Sequence, residues 1–148
     1  MQAYLGIGTN TGDKKKNIER CLQLLERYAG VIVRQSQIIE SAPWGFVSKN
    51  PFLNTVVCIE TELSPFQLLE TTQRTEQEMG RKEKSTNGVY HDRIIDIDIL
   101  LYEDYQISSP TLTIPHPLIQ ERDFVRLPLQ EILPQGHFLC PNSCKNEK

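Results

Sequence analysis

Two aspartates, Asp96 and Asp98, interrupt the most apolar stretch of the chain, Ile94-Ile95-Asp96-Ile97-Asp98-Ile99-Leu100-Leu101. Side chains alternate along a strand, so Ile95, Ile97, Ile99 and Leu101 are expected on one face and both carboxylates on the other. Carboxylates at i and i+2 repel each other unless cations or several donors compensate. Mg²⁺ meets that need, because it prefers oxygen ligands, keeps several waters and joins one or two protein carboxylates to substrate phosphates. Basic residues flank the pair in sequence: Arg81, Lys82, Lys84, His91 and Arg93 before it, His116, Arg122 and Arg126 after it. A metal-binding pair beside such a cluster suits a polyphosphate. The bare pattern also fits the wet side of an ordinary amphipathic strand.

A second constellation lies in Phe52-Leu53-Asn54-Thr55-Val56-Val57, where Phe52 and Asn54 share one parity. An aromatic ring stacks on a flat heterocycle, and an amide offers both donor and acceptor to its edge. The same residues would also serve as a core aromatic and a strand-edge amide. The preceding loop, Ser41 to Pro51, carries Trp44 and Phe46, unusual aromatic content for a mere connector.

Those residues need a scaffold. Ala3 to Gly8 reads as a strand ending in the turn-rich Gly8-Thr9-Asn10-Thr11-Gly12. Ile18, Cys21, Leu22, Leu25 and Tyr28 recur at helical spacing, with Lys14, Lys15, Lys16, Glu19 and Arg27 on a solvated face and Gly30 as the stop. Val31 to Ser41 is rich in β-branched residues and reads as a second strand, Phe52 to Thr61 as a third. Ser64-Pro65-Phe66-Gln67 combines a capping serine, proline in the first turn and glutamine at the capping-box position; the helix it opens is expected to reach Met79 and stop at Gly80. After the polar loop Arg81 to Asp92 comes the strand Arg93 to Tyr102. Strand, helix, strand, strand, helix, strand is the split βαβ order, which predicts a ferredoxin-like α+β fold with helices on one face of an antiparallel sheet and the active site on the other.

With 148 residues the chain fits one domain, expected over residues 1–133, with a polar tail over 134–148. A net charge of −3 argues against broad binding to nucleic acid. No apolar run approaches the roughly 20 residues of a membrane span, and the amino terminus lacks the features of a leader, so a cytoplasmic location is expected; a monomer is expected as well. Cys21 and Cys58 sit in apolar periodic segments as ordinary buried thiols. His137, Cys140 and Cys144 supply too few ligands, without paired CxxC spacing, for a structural zinc site.

Together, Gly8-Thr9-Asn10, Ser41-Ala42-Pro43-Trp44-Gly45, Phe52-Leu53-Asn54, Glu76, Gly80-Arg81, Arg93 through Ile99, Pro115-His116 and Arg122-Asp123-Phe124 form an ordered set. From about Ala3 to Ile132 this set resembles the 6-hydroxymethyl-7,8-dihydropterin pyrophosphokinases of folate biosynthesis. The resemblance implies transfer of pyrophosphate from ATP to the pterin alcohol, with two Mg²⁺ ions bridged by Asp96 and Asp98 and with Arg81 and Arg93 assisting catalysis. It implies a pterin held between Phe52 and Phe124, bonded by Asn54 and bounded by Ser41, Ala42, Pro43, Trp44 and Gly45. For ATP it implies Gln73, Glu76, Lys84, Arg93, His116 and Arg122, with adenine near the backbone of Ile99 and Thr113, under a lid from Arg81 to Asp92. The chain departs from the family pattern at Pro117, where an aromatic is frequent, at Phe52, where tyrosine is frequent, and within the lid, where Glu83 or Lys84 and Val89 or Tyr90 stand in place of an arginine and a tryptophan.

Two other readings differ in class. A ferredoxin-like RNA-binding module would use sheet aromatics, but the carboxylate pair and acidic charge oppose it. A nucleotide-sugar transferase would use the DxD pair but leave Phe52, Asn54 and Phe124 without a role.

Overall fold

The computed structural model describes residues 1–42, 50–80, 94–137 and 139. Strand β1 (Gln2–Thr9) alternates between apolar Ala3, Leu5 and Ile7 on one face and Tyr4, Gly6 and Gly8 on the other. Asp13 then accepts the backbone N–H of Lys16 and opens α1 (Lys14–Tyr28). The helix buries Ile18, Cys21, Leu24 and Leu25. Tyr28, expected on that face, is exposed, because Leu24 completes the stripe one turn earlier. Lys14 is not wholly a surface lysine either: its Nζ donates to the Pro51 carbonyl at 3.1 Å.

The expected second strand is two strands, β2 (Val31–Gln35) and β3 (Ile39–Ser41), both antiparallel to β4 (Phe52–Glu60). Ser36 divides them. Its N–H donates to the Val56 carbonyl at 2.9 Å, while its Oγ, rather than a backbone carbonyl, accepts the Val56 N–H at 2.9 Å. Helix α2 (Pro65–Glu78) starts with the full capping box between Ser64 and Gln67, as its sequence requires. Strand β5 (Asp96–Tyr102) follows, then a short hairpin of β6 (Ile107–Ser108) and β7 (Thr113–Ile114), then α3 (Asp123–Ile132).

The main sheet runs β2-β4-β1-β5, with β3 also on β4, and each of these pairs is antiparallel. Helices α1 and α2 cover one face, where Ala3, Leu5, Ile7, Val57, Ile59, Ile97 and Ile99 meet Ile18, Cys21, Leu25 and Leu68. The expectation of a helix-free opposite face needs correction. On that side Val125, Leu129 and Ile132 of α3 pack over Tyr4, Val56, Cys58 and Leu100. This helix escapes an end-signal reading because Arg122 gives no side-chain cap and Pro128 lies inside it. Its burial nonetheless follows helical spacing, at Val125, Pro128, Leu129 and Ile132.

Leu101 also departs from simple alternation. The register of β1 against β5 shifts between Tyr4 and Leu5, so Tyr4 faces Leu101 and Leu5 faces Ile99. Leu100 and Leu101 therefore both enter the cluster under α3, as an extra residue on one strand demands. Within the segment expected as a tail, Leu139 is buried in that same cluster, and its carbonyl accepts Nε2 of Gln130 at 2.7 Å. No helix among the described residues is long and apolar enough to cross a membrane.

Gly30 and Gly80 both follow helices, for different reasons. Gly80 has φ +101°, the backbone that glycine supplies at a helix end. Gly30 lacks a positive φ; a Cβ there would lie 2.1 Å from the Glu60 carbonyl oxygen, so close chain approach requires the glycine. Gly30→Ala is therefore expected to cost about 3 kcal/mol or more, and Gly80→Ala, with open space around it, about 1–2 kcal/mol. Urea unfolding midpoints of the two variants check this ordering.

Candidate active site

The part of the sheet face that α3 leaves is organised around two glycines. In the ladder Gly8 of β1 lies between Asp96 of β5 and Asn54 of β4, and Gly6 faces Asp98. Directly paired residues project to the same face, so Asp96, Asp98, Asn54 and Phe52 share it with the bare backbone of Gly6 and Gly8. Adjacent strands lie about 4.8 Å apart, which puts the Asp96 and Asn54 backbones roughly 10 Å apart across the Gly8 floor. The amide and the carboxylates thus stand on opposite flanks of Gly8.

The amide side is preset. Asn54, largely buried, donates from Nδ2 to Ser41 Oγ at 2.7 Å. Its Oδ1 is turned over Gly8, 3.0 Å from where a Cβ would stand, and the Phe52 ring lies 3.5 Å from that same point. Asn10, also buried, donates from Nδ2 to the Asn50 carbonyl at 3.2 Å and joins Lys14 in tying the turn after β1 to the entry of β4. Asn17 supports this turn through Thr9 Oγ1 at 3.1 Å and the Thr11 carbonyl at 2.8 Å. Gly8-Thr9-Asn10 is legible in the sequence as a turn and as part of an ordered motif, but the mechanical role of Asn10 depends on a contact 40 residues away along the chain.

A cavity of about 250 Å³ opens on the other side of the carboxylates, lined by Leu69 and Gln73 of α2, Ile97, Asp98 and Ile99 of β5, the 110–113 turn, His116 and Pro117. Gln73, Ile99, Thr113 and His116, drawn from four separate places in the sequence, thus converge, and Asp98 belongs to both regions. The turn is held by Ser109, whose Oγ donates to the Leu112 carbonyl at 2.9 Å and accepts the Leu112 N–H at 3.0 Å. His116 is fixed too: its N–H donates to the Leu100 carbonyl at 2.9 Å, and its Nδ1 accepts the Leu118 N–H at 3.1 Å. An accepting Nδ1 leaves the ring proton of the neutral imidazole on Nε2 as the donor.

Arg122 stands immediately before α3, largely buried, with its guanidinium 5.8 Å from the centre of the Phe124 ring. Phe124 packs against the cluster under α3, in the first turn of the helix that borders the open face. Glu76 is buried in α2, its Oε2 accepting the Ile97 N–H at 2.7 Å, and it is absent from the cavity lining. Ala42 is exposed beside half-buried Ser41. Pro43, Trp44 and Gly45, together with Arg81, Lys84 and Arg93, lie outside the described residues. Among the described residues no group of three or more His, Cys, Asp or Glu side chains gathers as a metal cluster. Asp96 and Asp98 are the oxygen donors that this face offers to a hard cation such as Mg²⁺, which takes one or two protein carboxylates.

Away from this face, burial holds the Cys21 thiol well above its usual range, with the negative charge of Glu76 adding to the effect.

Comparison with known proteins points to a class, the pterin pyrophosphokinases. Residues 4–134 match the model of the family described as 7,8-dihydro-6-hydroxymethylpterin-pyrophosphokinase (HPPK). A Porphyromonas gingivalis 2-amino-4-hydroxy-6-hydroxymethyldihydropteridine pyrophosphokinase is 47% identical over 90% of this chain and 92% of its own length. Similar proteins with that same name, from Aquifex aeolicus and Bacillus subtilis, are 43% and 41% identical over 88% and 90% of this chain and 79% and 78% of their own lengths. The chain belongs to this HPPK family. Among solved structures, a Plasmodium falciparum HPPK-DHPS protein shares the fold with TM-score 0.73 at 19% identity, over 90% of this chain and 42% of that one. The RNA-binding and nucleotide-sugar readings find no support in these matches.

Gly8→Ala is expected to push the Asn54 side chain off Ser41, whereas Gly6→Ala, whose Cβ would meet only the flexible Leu100 side chain at 3.4 Å, should be accommodated. NMR shifts of the Asn54 side-chain amide distinguish the two: a change with Gly8→Ala and none with Gly6→Ala.

Proposed function

We propose that the protein transfers the pyrophosphoryl group of ATP to 6-hydroxymethyl-7,8-dihydropterin, forming the pterin diphosphate and AMP in folate biosynthesis. The observation that carries this reading is the carboxylate pair on β5, between a glycine-floored face and the cavity that gathers Gln73, Ile99, Thr113 and His116. On this reading the pterin ring lies over Gly8, between Phe52 and Phe124, with its edge on Asn54 and its hydroxymethyl group toward Asp96. ATP enters from the cavity, its adenine against the edge of β5 at Ile99 and against Thr113, and its phosphates run toward Asp98.

The hydroxyl oxygen attacks the β-phosphorus in line, the bond to the α-phosphate oxygen breaks, and AMP leaves with that oxygen. Two Mg²⁺ ions held by Asp96 and Asp98, when bound, would supply charge neutralisation on the phosphates and acidity to the attacking hydroxyl. His116 donates from Nε2 toward phosphate oxygen, and Arg122 meets the charge that develops on transfer. Arg81, Lys84 and Arg93 complete the phosphate contacts, and Ser41, Ala42, Pro43, Trp44 and Gly45 close the pterin side. Enclosure by the loop from Arg81 to Asp92 limits competing hydrolysis of ATP.

The order β2-β4-β1-β5 supports reading the core as a ferredoxin-like split βαβ unit to which β3, the β6–β7 hairpin and α3 are added. A cytoplasmic monomer completes the proposal; the free thiols of Cys21 and Cys58 suit a reducing compartment.

Calorimetry with the dihydropterin, with and without a non-hydrolysable ATP analogue and Mg²⁺, tests the assignment: pterin binding is expected, and its absence under both conditions would defeat it. Asp98→Ala should fold normally by circular dichroism yet lose roughly a hundredfold or more in AMP formation, as expected when charge stabilisation of a transition state is removed. Near-normal turnover in that variant contradicts the role given to the pair.

A further inference from the structure

Glu76 is a buried carboxylate that the transfer chemistry above does not use. It projects from α2, is 3% exposed, and accepts the Ile97 N–H at 2.7 Å. Ile97 is the residue between Asp96 and Asp98, and among the described residues β5 ends the strand order of the main sheet. An edge strand has no neighbour to receive its outward N–H groups. Buried without a partner, such a group costs about 1–3 kcal/mol, so the Ile97 N–H needs an acceptor from elsewhere in the fold.

We propose that Glu76 is a positioning residue for the Asp96–Asp98 pair, acting through the backbone of Ile97 rather than as a nucleotide ligand; this rests on the pyrophosphokinase reading. The Ile97 N–H belongs to the planar peptide unit that also contains the Asp96 carbonyl. Anchoring that plane fixes the backbone rotation on both sides of it, and with it the directions in which the Asp96 and Asp98 side chains leave the strand. Helix α2 separates the two tasks by turn: Leu69 and Gln73 line the cavity, whereas Glu76, one turn beyond Gln73, points to the strand backbone. The position also explains why Glu76 charge is felt by the Cys21 thiol, inside the helix-covered core.

The test uses the full chain with Glu76→Ala and Glu76→Gln, reading hydrogen exchange at the Ile97 amide, affinity for a non-hydrolysable ATP analogue, and kcat as a function of Mg²⁺ concentration. Loss of a charge-assisted bond should speed Ile97 exchange roughly tenfold or more in Glu76→Ala. In that variant kcat should fall and its half-saturating Mg²⁺ rise, while affinity for the analogue stays near the wild-type value. Glu76→Gln keeps an acceptor oxygen and should restore both the protection of Ile97 and most of kcat. Loss of analogue affinity in both variants with Ile97 exchange unchanged would make Glu76 a direct ligand and overturn the proposal. Faster exchange without any change in kcat would overturn it as well. If Glu76→Ala does not fold, Glu76→Gln decides alone: kcat that follows Ile97 protection, both retained or both reduced, supports the clamp, and a change in one without the other refutes it. Ile97 exchange is read without substrates, so failure of the wild-type protein to form AMP would sink the pyrophosphokinase reading separately.

Discussion

Alternation along the central strand β1 governs both faces of the sheet. Ala3, Leu5 and Ile7 meet the helices on one side, in the core that holds the domain together. The opposite parity brings Tyr4, Gly6 and Gly8, which grade from a bulky residue under α3 to none at the open end. Because β1 lies between β4 and β5, each glycine removes a side chain from the middle of a three-strand row. The space that results is bounded by Asn54 and Phe52 on one flank and by the aspartates on the other. A methyl group at residue 8 would already crowd Asn54 Oδ1.

Covering half of that face is the task of α3. Antiparallel sheets tolerate one solvated face, yet here Val56, Cys58, Leu100 and Leu101 need cover, and the helix provides it. Its first turn brings Arg122 and Phe124 to the limit of the covered region, so the element that completes the second core also delivers two candidate site residues. The register slip beside Leu100 serves the same division. It places Leu100 and Leu101 together under α3 without disturbing the parity of Asp96 and Asp98 at the other end of β5.

The cavity on the far side of the carboxylates is built differently. It uses an edge strand, one turn of α2 and a hairpin pinned by Ser109, so its wall includes backbone as well as side chains. Backbone at a sheet edge offers donors and acceptors without further sequence requirements. The cost is that the edge must be held straight where geometry matters, and Glu76 meets the strand at the residue between the two aspartates.

Local rules made much of this legible. Period-two alternation gave the shared face of Asp96 and Asp98 and that of Phe52 and Asn54, because side-chain direction in a strand depends only on parity. The capping box at Ser64 marked the start of α2 because its hydrogen bonds join residues three apart. Other features were hidden because they depend on partners distant in sequence: the break at Ser36 rests on Val56, the need for Gly30 on Glu60, and the cover over Leu100 on a helix without a side-chain cap. Residue types, their parity along each strand and the family to which the chain belongs thus follow from the order of residues alone. The tertiary structure decided that Gly8 separates Asp96 from Asn54, that Asp98 faces both a cavity and an open sheet, and that Glu76 reaches a backbone N–H. The physical reason is that parity is local to one strand, whereas register, cover and buried hydrogen-bond partners are settled only when separate elements pack together.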